Sequence, residues 1–269
     1  MSYNLPLLII VPTLNTYKVL PRLIKSLKSQ TFQEWRLLFV DGPSTNEHMN
    51  WLKKSCEEDN RINFIKQNNK NKGIYGAMNQ GLEFANKEDW VLFWGSDDWA
   101  FSRDTLANII NLLSKHHNYN SESLPDLIIA RGTYIDSANG MQKRVSRFDE
   151  TKNFFDNLAY KKAMFFGSTP PHQATLIGPG ARNREPLYSN DFYLTADLDF
   201  FLSLINKKNL KVLIMREVIV NMEDSGVSSQ YIKLRIYEVL STYFKHFKIY
   251  FIIPFLARYI KKIISKFFK

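Results

Sequence analysis

The chain has 269 residues, 45% of them hydrophobic and 23% charged, which suits one large folded domain and excludes a disordered chain. Its single cysteine, Cys56, excludes an internal disulfide and a cysteine-built zinc cluster and fits a reducing compartment. The net charge of +10 is unevenly spread: residues 231–269 hold nine Lys or Arg against one acid, Glu238, while the rest holds 27 basic and 25 acidic residues, so no nucleic-acid partner is expected of the body.

In chain order, the apolar run 7–11 is too short for a signal sequence and lacks a basic leader, which places the chain in the cytoplasm. It reads as the first of four strands, at 7–11, 35–40, 61–66 and 90–95. Helix-period segments lie between them at 19–30, 47–58 and 75–86. This alternation predicts an α/β fold with a mostly parallel, Rossmann-like sheet flanked by helices. A helix at 103–116, a strand at 126–130, a hairpin around Asn139-Gly140, a Gly/Pro-punctuated stretch at 167–179, a helix at 192–207 and a strand at 212–214 follow.

Ligands of open parallel sheets gather at the carboxyl ends of strands, and the polar clusters fall there. Pro12-Thr13-Leu14-Asn15 ends the first strand, Asp41-Gly42-Pro43-Ser44 the second, and Ser96-Asp97-Asp98 the fourth. Two adjacent carboxylates after a buried strand repel unless donors or a hard cation neutralise them, so the pair reads either as a metal site or as a helix cap. Asp41 reads as a site residue or as part of a capped turn. The glycines of Lys72-Gly73-Ile74-Tyr75-Gly76 and of Ala77-Met78-Asn79-Gln80-Gly81 allow close backbone approach, to a ligand or to the sheet. His172, after Pro170-Pro171, is either structural or catalytic, and Asp197 and Asp199 open a helix whose dipole suits them.

Taken in order, Val11-Pro12-Thr13-Leu14-Asn15, Val40-Asp41-Gly42 with Ser44, Lys72 to Gly81, Ser96-Asp97-Asp98, His172-Gln173-Ala174 and Tyr193 to Asp199 resemble the family 2 glycosyltransferases of the GT-A fold, especially bacterial polysaccharide and lipopolysaccharide enzymes, over residues 5–205. The resemblance implies that Pro12, Thr13 and Asn15 line the nucleotide pocket and that Asp41 bonds the base. It places Asp97 near the ribose or sugar, Asp98 on a Mn²⁺ or Mg²⁺ ion, and Lys72 and Asn79 near the donor sugar and phosphates. Asp197 would be the catalytic base, with His172 beside it and Asp199 structural. The implied donor is a nucleotide sugar, with UDP as the family's default, and the implied acceptor a glycan or lipid-linked molecule. Asn46, Asn71, Gly76 and Gly42 depart from acids common in the family, which bears on sugar recognition. No Arg-x-x-Arg-Trp signature of processive synthases occurs, so one sugar per visit is expected.

The expected organisation is a nucleotide-sugar-binding half at 1–118, an acceptor-binding half at 119–225 and a basic amphipathic tail at 226–269. From Phe255 onward apolar pairs alternate with Arg258, Lys261-Lys262, Lys266 and Lys269. The tail therefore reads as an interfacial helix on an anionic membrane surface, peripheral on the inner face, or as a helix docked on its own domain. Two other readings compete: a sugar-1-phosphate nucleotidyltransferase, which the absence of a Gly-rich, Arg-containing first loop disfavours, and a degenerate membrane-bound assembly partner.

Overall fold

The first strand, β1 (Leu7–Thr13), alternates its side chains between two cores. Leu8 and Ile10 enter the cluster on one face of the sheet, and Leu7, Ile9 and Val11 enter the cluster on the other. A strand buried on both faces reads as a continuous apolar run, which is why LLIIV carries no polar residue. In this computed structural model the described residues are 6–70, 72–119, 124–185, 187–224 and 231–267, with backbone alone for 117–119 and 264–267. Asn71, Phe268 and Lys269 lie outside them, as do the side chains of Lys266 and Phe267.

Beside β1 run β2 (Trp35–Asp41), β3 (Ile62–Lys66) and β4 (Trp90–Phe93), all parallel, in the order β3-β2-β1-β4. Helix α1 (Leu20–Lys28) buries Leu20, Leu23, Ile24 and Leu27, one helical stripe, and starts on Pro21, whose fixed φ suits a first turn. Helix α2 (Asn46–Glu58) is capped by Thr45, whose side chain accepts from the His48 N–H. In α3 (Gly73–Leu82), a Cβ on Gly81 would strike the Ile10 side chain, so that glycine seats the helix on the sheet.

Past β4 the sheet changes sense. A short β5 (Trp99–Ala100) and helix α4 (Thr105–Tyr119) lead to β6 (Leu127–Ile135) and its hairpin partner β7 (Gln142–Ser146), the turn anticipated at Asn139-Gly140. After β8 (Phe154–Phe155) and helix α5 (Asn157–Phe165) comes β9 (Thr175–Ile177), inserted antiparallel between β4 and β6. Helix α6 (Pro179–Arg184) and helix α7 (Ala196–Ser203) precede β10 (Val212–Glu223), longer than the predicted 212–214 because register shifts after Ile214 and Val218 interrupt its apolar pattern. Pairing of β10 with β5 sets Asn221 opposite Trp99 and carries Glu223 toward Asp97.

The described C-terminal residues form two helices that pack on the domain. Helix α8 (Ile232–Phe247) buries Val239, Thr242 and Tyr243 against the domain, because its inward stripe is apolar and its one acid, Glu238, is consumed by backbone donors. Helix α9 (Ile252–Phe267) packs Phe255 against the same core and crosses Gly167, whose φ of +82° and missing Cβ admit the backbone of Ala257 and Arg258.

Candidate active site

A cleft of about 1550 Å³ opens along the carboxyl ends of β1 and β4 and extends under α8 and α9. It exceeds the ~300–1,000 Å³ of an ordinary ligand pocket, which leaves room for two substrates. Pro12, Asp97, His172 and Asp197 all line it, bringing together residues spread over most of the chain.

At the β1 and β2 ends, register sets Thr13 opposite Asp41. The Thr13 hydroxyl donates to Asp41 Oδ1 at 2.9 Å, Ser44 Oγ donates to the same oxygen at 2.7 Å, and His48 Nε2 lies 2.9 Å from it. Asn15, at φ 55°, accepts from the Thr45 N–H through its side chain, and its own N–H donates to Ser44. Thr13, Asn15 and Asp41 are thus interlocked behind the cleft wall. Asp41 is fully buried, and its Oδ2 has no hydrogen-bond partner among the described residues.

At the β4 end the Asp97 and Asp98 carboxylates converge on Gly95, where a Cβ would meet an oxygen of each. Asp98 is buried and accepts from the Gly95 N–H. Burial first, and the Asp97 charge second, push the Asp98 carboxyl well above the usual carboxylate range; burial raises Asp97 too. Arg22 from α1 stacks on Trp99, donates to the Asp97 carbonyl at 2.9 Å and pairs with Glu223, which also lines the cleft. Glu223 escaped sequence reading because only the first third of its strand is uniformly apolar. Crowded, desolvated oxygen ligands are the donor set of a hard divalent cation. Among the described residues no group of three or more His, Cys, Asp or Glu is placed to hold a metal alone, so the residues fit an ion whose shell a diphosphate completes.

Asp197 stands in the first turn of α7, and the Tyr75 hydroxyl of α3 donates to its Oδ1 at 2.9 Å. The preceding loop is held by Glu238 of α8, which accepts from the N–H groups of Tyr193 and Leu194 at 3.0 and 2.7 Å. His172 reaches the same area because β9 runs antiparallel to β4, so the turn before β9 falls at the end of β4. Its ring stacks on Phe93, centroids 5.4 Å apart, and Nε2 lies 2.9 Å from the Tyr188 hydroxyl. Burial lowers its pKa below the ordinary value, which keeps the ring neutral at pH 7. Asp199 faces away, paired with Lys245 and His246 at 2.9 and 2.7 Å.

Besides Thr13, Asn15, Asp41 and the buried Asp98, two more predicted site residues lie off the cleft wall. Asn79 is buried, and its carboxamide exchanges two hydrogen bonds with the backbone of Tyr188, so it splices α3 to the later chain instead of facing a donor. Lys72 is the exposed residue preceding α3 and is absent from the cleft wall. Tyr75 and Glu238 were missed as site residues because each acts through a partner more than forty residues away, and Tyr188 because its partner His172 lies across a chain reversal.

The fold is an open sheet of the GT-A kind, with paired acids at a central strand end and a third acid lining the same cleft. The profile of glycosyl transferase family 2 matches residues 8–169, and the chain belongs to that family; it is a glycosyltransferase. It is 28% identical over 218 residues to a PGL/p-HBAD biosynthesis glycosyltransferase of Mycobacterium bovis, covering 81% of this chain and 77% of that one. The fold is similar to that of S. aureus TarS 1–349 in complex with UDP-GlcNAc (TM-score 0.67, 17% identity, 95% of this chain and 73% of that chain). It is also similar to the mannosyltransferase PcManGT of Pyrobaculum calidifontis in complex with GDP-Man and Mn²⁺ (TM-score 0.63, 14% identity, 93% and 68%).

Proposed function

We propose that this chain moves one sugar from a nucleotide sugar, UDP-linked by default, to a hydroxyl of a glycan or lipid-linked acceptor in cell-surface polysaccharide synthesis, by a single displacement with inversion. The observation that carries this reading is Asp197, held by Tyr75 on the same cleft as Asp97, with Asp98 buried next to it.

The nucleotide would enter over Pro12, with Asp41 held by Thr13 and Ser44 directly behind that wall, where uncovering its Oδ2 would give a base N–H an acceptor. Asp98, with Asp97 beside it, would hold Mn²⁺ or Mg²⁺. When bound, the ion offsets negative charge on the leaving diphosphate as a Lewis acid. A sugar hydroxyl is a weak nucleophile near neutrality, so its proton must pass to a positioned base as it attacks. In this reading the bond from Tyr75 fixes the Asp197 carboxylate and leaves its second oxygen for that proton. Neutral His172, engaged by Tyr188, would wall the acceptor side rather than carry charge.

The helices suit the inner face of a membrane. Among the described residues none is long and apolar enough to cross one. Yet Ile252, Ile253, Leu256, Ile260 and Ile263 form one exposed stripe on the side of α9 away from the domain, and Ile249, in the turn before that helix, is 77% exposed. Asp197→Asn tests the central claim: transfer is expected to fall 10²–10⁴-fold while donor affinity holds. Near-normal turnover in that variant, with loss in Asp199→Asn, would assign the base to the other acid.

A further inference from the structure

The far end of the cleft is walled by cations from three separate elements: Arg144 on β7, Arg235 on α8, and Arg258 with Lys262 on α9. Their surroundings tie them to the acceptor side. Arg235 lies one helical turn before Glu238, which holds the loop leading to Asp197. Arg258 bonds Thr169 Oγ1, and Lys261 donates to Ser168 Oγ at 2.8 Å, both just before Pro170-Pro171-His172.

Four like charges gathered in a hollow repel one another and raise the energy of the empty site, a cost that a bound anion removes. Desolvation, then repulsion from Arg258, Arg235 and Arg144, pushes the Lys262 ammonium down to about 7, although its side chain is open to the cleft. The buried Nε of Arg258 has no hydrogen-bond partner among the described residues. Guanidinium groups that line one hollow with an ammonium are the donors that recognise phosphate oxygens in pairs.

We propose that Arg144, Arg235, Arg258 and Lys262 form a subsite for a phosphate or diphosphate carried by the acceptor, which seats the acceptor with its hydroxyl toward Asp197. This rests on the reading of Asp197 as the base. It gives the inward face of α9 a different task from the outward one: cations toward the substrate, apolar residues toward the surroundings.

The test uses the full chain in EDTA with inorganic pyrophosphate and geranyl diphosphate as probes, by titration calorimetry, with UDP and Mn²⁺ titrated separately. Lys262→Gln and Arg235→Gln are expected to weaken both diphosphates at least tenfold each and to leave UDP–Mn²⁺ affinity unchanged. Arg258→Gln should act in the same direction; because it also loses the Thr169 bond, circular dichroism accompanies it, and the other two variants carry the conclusion. Unchanged diphosphate affinity in both, or displacement of diphosphate by UDP in EDTA, overturns the proposal. If only binding to phosphatidylglycerol vesicles falls while soluble diphosphates are unaffected, the cations read bilayer headgroups and the acceptor subsite is refuted. Failure of wild-type UDP–Mn²⁺ binding would instead remove the donor reading and leave the diphosphate result standing by itself.

Discussion

The two ends of the cleft are built by opposite means. At the nucleotide end, strands β1, β2 and β4 each deliver their site residues within a few positions of the strand end, and apart from the Arg22–Glu223 pair the partners are sheet or loop neighbours: Thr13 with Asp41, Gly95 with Asp98. At the acceptor end nothing is local. Asp197 depends on Tyr75, its loop on Glu238, and the segment before His172 on Arg258 and Lys261, contacts that span up to 122 residues. Mutation should therefore disarm the first end without loosening the fold, and should disarm the second end largely by loosening it.

The sharpest separation is expected from Asp98→Asn. Metal-dependent UDP affinity should be lost, measured by calorimetry with Mn²⁺, while the metal-free protein becomes more stable at neutral pH. The folded state raises the Asp98 pKa, so in that state it binds its proton more readily than the unfolded chain does, and the charged carboxylate costs stability at neutral pH. Wild-type stability in EDTA should rise as pH falls through the raised Asp98 pKa and gain nothing further from this group below the ordinary carboxylate range. The Asn variant should lack that component. Equal stability of the two proteins at pH 7 would show that Arg22 already neutralises the pair.

Glu238→Ala is the counterpart at the other end. It leaves the Tyr193 and Leu194 N–H groups without their acceptor, each worth about 1–3 kcal/mol when buried and unpaired. A fall in melting temperature with loss of transfer is expected, while UDP–Mn²⁺ binding near the melting onset persists. If the variant lost transfer at full stability, Glu238 would belong with the chemistry and not with the scaffold.

Gly167→Ala should act more gently, at about 1–3 kcal/mol, the usual cost of overpacking. The added methyl falls on the backbone of Arg258 at a φ that disfavours side chains. Limited proteolysis should then cut within residues 248–263 faster than in wild type.

The same contrast explains what could be read in advance. Strands β1 to β4 and helices α1 to α3 follow from periodic apolar runs and turn residues, and Pro12, Asp97, Asp98 and Asp197 follow from short motifs. Asn79 misled because a buried amide that splices two backbones has the same sequence appearance as one that meets a ligand. β9, three residues long, was invisible, since its identity comes from filling the gap between β4 and β6. In the last helix the alternation of grease and charge was legible, but its orientation was not. Which face docks was decided by Gly167, ninety residues earlier, where the absent side chain admits Arg258.

That orientation sets the smallest expected effect. A helix lying on a bilayer by its cations would release at high salt, because charges at the surface are screened within about 8–10 Å at physiological ionic strength. Here Arg258 and Lys261 bond to Thr169 and Ser168 of the domain, and the outward stripe is Ile252, Ile253, Leu256, Ile260 and Ile263. Association with vesicles should then change little between low and moderate salt, and depend weakly on anionic lipid content. Ile253→Ser with Leu256→Ser and Ile260→Ser should weaken it more than Lys261→Gln with Lys262→Gln, since each buried apolar side chain contributes about 1.5–3 kcal/mol. Co-sedimentation across salt concentrations separates the two modes. Strong release by salt, with the serine variant still bound, would mean that the cations leave the cleft to meet the membrane and that α9 undocks on arrival.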